Sequence, residues 1–350
     1  MPITTPALVV NSAAQAFERG SVQRRDVGAR DVLIDIAYAG ICHSDIHQVR
    51  EELGRSMFPM VPGHEIAGVV REVGAEVTKH AVGDRVGVGC FVDSCRECEN
   101  CLAGEEQFCL KGSVSTYNGL QYDGSPTYGG YSTDIVVDEN YVLRIPDGIP
   151  LDTAAPLLCA GITTYSPLRH WNAGPGKHVA VIGMGGLGHM AVQIAHAMGA
   201  HVTVLSRTLA KQDDGLALGA DEYFAIESPD ALKALRKRFD LIINTVSADI
   251  PVDRYLSTLR LDGALVFVGL PQNPLQLRVF SLVGARRSIA GSSIGGIRET
   301  QEMLDFCAAH GIGAVIETIS ADEVTAAYDR VVSGDVRFRF VIDTATIPQE

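Results

Sequence analysis

The chain shows two textures of apolar and polar positions. Up to about residue 150 the apolar residues come in short runs, broken by Gly and Pro at close intervals. The runs 32–38, 66–73 and 84–88 are rich in Val and Ile and bounded by turn residues, which predicts short strands of a barrel or sandwich. Glycines near their ends suit bulges and corners. From about residue 155 the pattern changes. Buried-strand runs at 177–182, 201–205, 240–244 and 264–268 alternate with helical patterns at 187–198, 209–218 and 253–261. A further strand is expected near 288–293. Such alternation predicts a parallel, doubly wound α/β sheet. A helix from 299 to 310 and a strand at 337–343 are expected to rejoin the first half. The expected domains are therefore 1–154 with 297–350, and 155–296 inserted between them.

Length supports this division, because 350 residues exceed the usual extent of one hydrophobic core. A formal net charge of −13 argues against nucleic acid as a partner, since phosphate binding needs a basic surface. Residues 1–6 lack the basic and apolar regions of a signal peptide. No run reaches the roughly 18 apolar residues of a membrane span. A cytoplasmic protein with no membrane partner is expected.

Cys95, Cys98, Cys101 and Cys109 fall within one polar stretch, about 90–112. Four thiolates so spaced close a tetrahedral zinc site. Disulfides are the alternative, but they belong to small secreted domains in oxidising compartments. A site of four thiolates has no open position, so this zinc is structural and the chemistry lies elsewhere.

Gly183, Gly185 and Gly188, with Gly186 and Leu187 among them, follow a predicted strand and open a predicted helix. This is the dinucleotide fingerprint in its required context. The helix N-terminus meets the pyrophosphate charge. NAD-binding sheets place Asp or Glu at the end of the second strand to hold the ribose 2′-hydroxyl. Here Ser206 and Arg207 stand there, with Lys211 nearby. A hydroxyl and two cations suit a 2′-phosphate, so the expected cofactor is NADP(H).

Cys42, His64 and Cys159 offer a Cys₂His set, a donor type that leaves zinc one open position. Cys159 taken alone equally suits a small buried apolar residue.

The chain resembles the zinc-dependent medium-chain alcohol dehydrogenases, and most of all the cinnamyl-alcohol-dehydrogenase-like branch of NADPH-dependent aldehyde reductases. The resemblance covers nearly the whole chain. Its carriers are Gly40 to Asp45, Pro62 to Glu65 with Gly68, the Cys95 to Cys109 lobe, Cys159 to Leu168, Gly183 to His189, and Gly291 to Gly296. It implies a GroES-like catalytic domain and a Rossmann domain with the active site in the cleft between them. It implies two zinc ions per chain, the catalytic one on Cys42, His64 and Cys159. Glu65 then approaches the metal during ligand exchange, and Asp45 accepts from the zinc-bound histidine. Ser44 is the hydroxyl nearest the substrate oxygen, and His47 the outer member of a proton relay. Thr163 and Ser292 contact the cofactor, while His43 is left without a settled role. The implied reaction is hydride transfer between NADPH and an aldehyde, or the primary alcohol in reverse, by a homodimer.

Phe58, Phe91 and Leu120 are candidates for the substrate pocket or for ordinary packing, and Trp171 for packing. Two rival readings are a zinc-free quinone reductase of the same fold and a non-catalytic zinc protein. The cysteines oppose the first, and the glycine motif with the acidic charge opposes the second.

Arg207→Asp tests the cofactor expectation. It lowers kcat/KM with NADPH far more than with NADH, and equal use of the two cofactors by the parent protein refutes the 2′-phosphate argument.

Overall fold

The computed structural model describes residues 3–52, 54–226 and 230–347. Met1 and Pro2, part of the leader reading above, lie outside the described residues. The chain divides into two compact units, residues 1–162 with 295–350, and residues 163–294.

The outer unit is β-rich. Its principal sheet runs Ile316–Ile319, Arg339–Asp343, Asp31–Gly40, Ile66–Val73, Arg85–Val88, Leu143–Arg144, and Asp134–Asp138 also pairs with Asp31–Gly40. The predicted strand at 66–73 has the bounds of the observed one. The strand expected at 337–343 forms from Arg339 and pairs antiparallel with the end of Asp31–Gly40. Register shifts at Leu33/Ile34 and Ile36/Tyr38 bend the central pair, as bulges do. Gly68 lies within that bend, where an added Cβ would strike the Asp35 carbonyl oxygen. A hydrophobic core that includes Leu8, Ile41, Ile46, Tyr131 and Phe340 packs beneath.

The inner unit is a six-stranded, all-parallel sheet. Its order is Glu222–Ala225, His201–Ser206, His178–Ile182, Phe239–Asn244, Leu259–Phe267, Ser288–Gly291. The order reverses between His178–Ile182 and Phe239–Asn244, which is where doubly wound sheets open a crevice beyond the carboxyl ends of their strands. Val179, Ala180 and Val181 are fully buried, as strands covered on both faces must be. The helix expected over 253–261 is Val252–Thr258, and residues 259–261 begin the next strand instead. Leu259 is claimed by the sheet through its pairing with Phe239, so tertiary pairing overrides the helical pattern. The helix expected at 209–218 is shorter, Gln212–Ala217. Among the described residues no helix is long and apolar enough to cross a membrane.

Gly68→Ala destabilises the outer unit by about 1–3 kcal/mol through overpacking. The measurement is the denaturant midpoint at unchanged m-value. A midpoint equal to the parent's shows that the bent strand pair yields without cost.

Candidate functional site

Cys42 caps the helix His43–Val49, and its backbone N–H donates to Asp45 Oδ2 at 2.9 Å. The other Asp45 oxygen accepts from His64 Nδ1 at 2.9 Å and from the Gly63 N–H at 3.3 Å. Asp45 is fully buried. Its hold on Nδ1 leaves His64 Nε2 free to act as a ligand, the usual way a carboxylate fixes a metal-binding tautomer. Gly63 has φ +104, so the turn that aims His64 needs glycine. Gly129 abuts the same turn, because a Cβ there would strike the Gly63 and Pro62 carbonyl oxygens.

Cys159 follows the short 3₁₀ turn Ala155–Leu158. Its sulfur lies 3.8 Å from that of Cys42. Two ligands about 2.3 Å from a tetrahedral zinc lie about 3.8 Å apart. Donor atoms of Cys42, His64, Glu65 and Cys159 all fall within 4.8 Å of one another, and all four residues are buried. The hydrogen bond between the sulfurs holds Cys42 well below the ordinary thiol range and Cys159 well above it. Burial presses His64 down, but the Asp45 charge, the Cys90 thiol and hydrogen bonds to Asp45 and Cys42 together outweigh it, and the ring stands well above its ordinary value. Burial, opposed in part by the Arg339 charge, leaves Glu65 raised to about 7. Glu65 Oε1 is paired with the buried Arg339 guanidinium. Its Oε2 has no hydrogen-bond partner among the described residues. Orphaned oxygen, paired thiols and a tautomer-fixed imidazole fit a divalent soft cation such as zinc. Gly40 leaves room for Glu65, because a Cβ at Gly40 would meet Glu65 Oε2.

Ser44 and His47 lie on the same helix as Asp45. His47 Nδ1 is 2.5 Å from Glu52 Oε2, and the exposed His43 ring stands 4.7 Å from the His47 ring. Glu52, Arg339 and Tyr117, whose ring stacks on His64 at 5.9 Å, were not foreseen from sequence. Glu52 falls five residues past His47, and no spacing rule marks it. Cys90 is a further omission: it lies beside Cys159 and donates to the Leu158 carbonyl at 3.9 Å.

The second thiol cluster joins Cys95, Cys98, Cys101 and Cys109, again within 4.8 Å. Sulfurs of Cys95 and Cys98 lie 3.8 and 3.4 Å from Cys101. Backbone N–H groups of Cys98, Leu110 and Cys95 donate to Cys95, Cys98 and Cys109 sulfurs at 3.4, 3.5 and 3.4 Å. The backbone N–H groups of Cys101 and Leu110 draw Cys98 down, while burial sends Cys101 up. The stretch expected as loop also contains a short helix, Glu99–Ala103, ended by Gly104 at φ +81.

In the inner unit Gly183, at φ +94, turns the chain from His178–Ile182 toward Gly188–Ala197. A Cβ on Gly188 would strike the Gly183 carbonyl oxygen, whereas one on Gly185 would meet nothing within 4 Å. Gly183 and Gly188 let helix pack on strand, and Gly185, followed by Gly186 and Leu187, faces open space of the kind a backbone approach to a pyrophosphate requires. Gly183 N–H donates to Leu205 O at 2.9 Å, so Ser206 and exposed Arg207 begin beside the turn. Lys211 precedes the helix Gln212–Ala217. Thr163 is buried, and Ser292 N–H donates to Phe267 O at 3.1 Å. Of the pocket candidates, Phe91 packs edge-on against Tyr141, Phe58 packs on the outer core, and Leu120 is exposed. Trp171 is half-buried beside His170.

Comparison with known proteins gives the same two parts. Residues 28–147 match the alcohol dehydrogenase GroES-like domain, and 186–309 match the zinc-binding dehydrogenase domain. The chain is 62% identical over 343 residues to a probable formaldehyde dehydrogenase, AdhA, of Bacillus subtilis, covering 98% of each. It is 62% identical over 345 residues to NADP-dependent alcohol dehydrogenase C 1 of Mycolicibacterium smegmatis, covering 98% of this chain and 99% of that one. Among solved structures, the cinnamyl alcohol dehydrogenase of Helicobacter pylori complexed with NADP(H) superposes with a TM-score of 0.93 at 45% identity, over 99% of each chain. Both domain matches and both relatives agree, and the chain, with its buried thiol–imidazole site, four-cysteine lobe and glycine-turned parallel sheet, belongs to the zinc-binding alcohol dehydrogenase family with a GroES-like domain.

Proposed function

We propose that this protein is a zinc-dependent alcohol dehydrogenase that uses NADP(H) and works chiefly as an aldehyde reductase, on aromatic or aliphatic aldehydes. The observation that carries this reading is the buried Cys42, His64, Cys159 and Glu65 donor set, in a chain so similar to an NADP-dependent alcohol dehydrogenase. When bound, zinc supplies Lewis-acid polarisation of the substrate oxygen and NADPH supplies the hydride. Cys42 and Cys159 give two thiolates that offset the metal charge, and Asp45 holds the His64 tautomer. Glu65, tethered by Arg339 on one oxygen, keeps the other available during ligand exchange. Ser44 hands a proton toward the substrate oxygen, and His47 refills it. Glu52 fixes the His47 ring through Nδ1, which leaves Nε2 for the proton. Gly183, Gly185, Gly186, Leu187 and Gly188 cradle the pyrophosphate, and Ser206, Arg207 and Lys211 take the 2′-phosphate. Thr163 and Ser292 complete the cofactor contacts. Cys95, Cys98, Cys101 and Cys109 hold a second, structural zinc.

The working form in this proposal is a cytoplasmic homodimer. Two clusters of unpaired thiols fit a reducing compartment. The edge strand Ser288–Gly291 has one neighbour among the described residues. Beside it Phe280 is 80% exposed, with Val279 and Val283 also exposed, and such edges and patches are usually covered. A solution mass equal to one chain refutes the dimer.

Paired cysteine variants test the metal assignments. Cys42→Ser cuts NADPH-dependent reduction of cinnamaldehyde, benzaldehyde and hexanal by more than the roughly hundredfold that loss of an outer partner costs. Its NADPH affinity stays near the parent's. Cys98→Ala instead lowers folded yield and Tm, with little change in kcat per folded chain. Full activity in Cys42→Ser refutes the metal mechanism.

A further inference from the structure

Asp45 is reached by a buried string of phenols to which the proposed mechanism gives no part. Tyr131 O–H donates to Asp45 Oδ2 at 3.3 Å, and Tyr328 O–H donates to the Tyr131 oxygen at 3.3 Å. Tyr131 is fully buried, and Tyr328 is 4% exposed. Both rings pack on Phe17, at 5.8 and 5.1 Å between centroids. The surrounding core is apolar, so a phenol left unpaired there costs about 1–3 kcal/mol. Burial and the Asp45 charge raise both phenols well above the ordinary range, and both remain donors.

Four hydrogen bonds of clear geometry reach the carboxylate, and the buried Tyr117 hydroxyl bears on it as a further partner. Oδ1 takes His64 Nδ1 and the Gly63 N–H, and Oδ2 takes the Cys42 N–H and Tyr131. An ionised carboxylate has about four acceptor positions. Three of these donors belong to a metal-ligand candidate or to the residue before one. Tyr131 is the fourth and comes from elsewhere in the chain. Its ring also bears on the His64 turn, since a Cβ on Gly63 would lie 2.6 Å from Tyr131 Cδ1.

We propose that Tyr131, seated by Tyr328 from the helix Val324–Ser333, is a positioning residue of the catalytic metal site. Its hydroxyl fixes the Asp45 plane and thereby the direction in which His64 presents Nε2. The proposal rests on the assignment of Cys42, His64 and Cys159 as zinc ligands. It predicts that metal retention, rather than folding, depends on the phenol.

The test uses the purified holoenzyme, timed exposure to dipicolinate, and zinc counted per chain. Tyr131→Phe keeps the ring and removes the hydroxyl. It loses one of two zinc ions about tenfold faster than the parent, within the range for outer partners of a metal ligand, while the four-cysteine zinc stays. Tyr328→Phe acts in the same direction by a smaller factor. In cobalt-substituted protein, Tyr131→Phe shifts the visible bands of the catalytic-site ion alone. Added to Asp45→Asn, Tyr131→Phe produces no further acceleration. Zinc loss at the parent rate overturns the proposal. So does equal acceleration at both sites, which marks general loosening, or an undiminished effect in the Asp45→Asn background. A parent chain that holds a single zinc overturns the ligand assignment itself, and the proposal with it.

Discussion

Satisfying one buried carboxylate is the constraint from which the outer unit takes its local order. Asp45 has no access to water, and a charge so placed is tolerated only when its lone pairs are filled. The filling draws together groups that sequence keeps apart. The helix start at Cys42, the turn at Gly63 and His64, and the ring of Tyr131 all face the same two oxygens. The cap of a short helix and the orientation of the candidate ligand His64 are therefore set by one carboxylate. A change at Asp45 alters backbone and imidazole together.

The two thiol clusters solve the same electrostatic problem differently. Sulfurs this close cannot all ionise without a cation. In the four-cysteine lobe, backbone N–H groups share the negative charge, and the donor set is complete without any other residue. At Cys42 and Cys159 the third anion-forming group is Glu65, one oxygen of which is taken by Arg339. The first arrangement is closed by four like donors, and the second keeps a carboxylate oxygen beside its thiols.

Much of this was legible because the decisive spacings are local. Cys95 to Cys109, Gly183 to Gly188 and Cys42 to Asp45 each lie within one loop or turn, so geometry follows from sequence separation. Five strands of the parallel sheet were legible, four of them from buried apolar runs, while the edge strand Glu222–Ala225, short and only partly buried, was not read. What escaped notice depends on distance along the chain. Arg339 is 274 residues from Glu65, and Tyr328 is 197 from Tyr131; neither carries a motif. Glu52 is near His47, but an exposed-looking acid gives no sign that it will fold back on a ring. Residues 259–261 were misread because helical periodicity cannot register the neighbouring strand that claims Leu259. The pocket candidates failed to separate from packing residues for a related reason, since an aromatic on a short strand reads alike in either role.

The interleaving of the two units orders events during synthesis. The inner unit has its whole sequence once residue 294 has emerged, and domains fold as units as the chain lengthens. The outer unit at that moment has its thiols and His64, but neither Arg339 nor Tyr328, which come later in the chain. A nascent chain therefore exposes the four-cysteine cluster as a complete chelate well before the second site is finished. The strand Arg339–Asp343, which brings Arg339 to Glu65, is among the last parts of the outer unit to join its sheet.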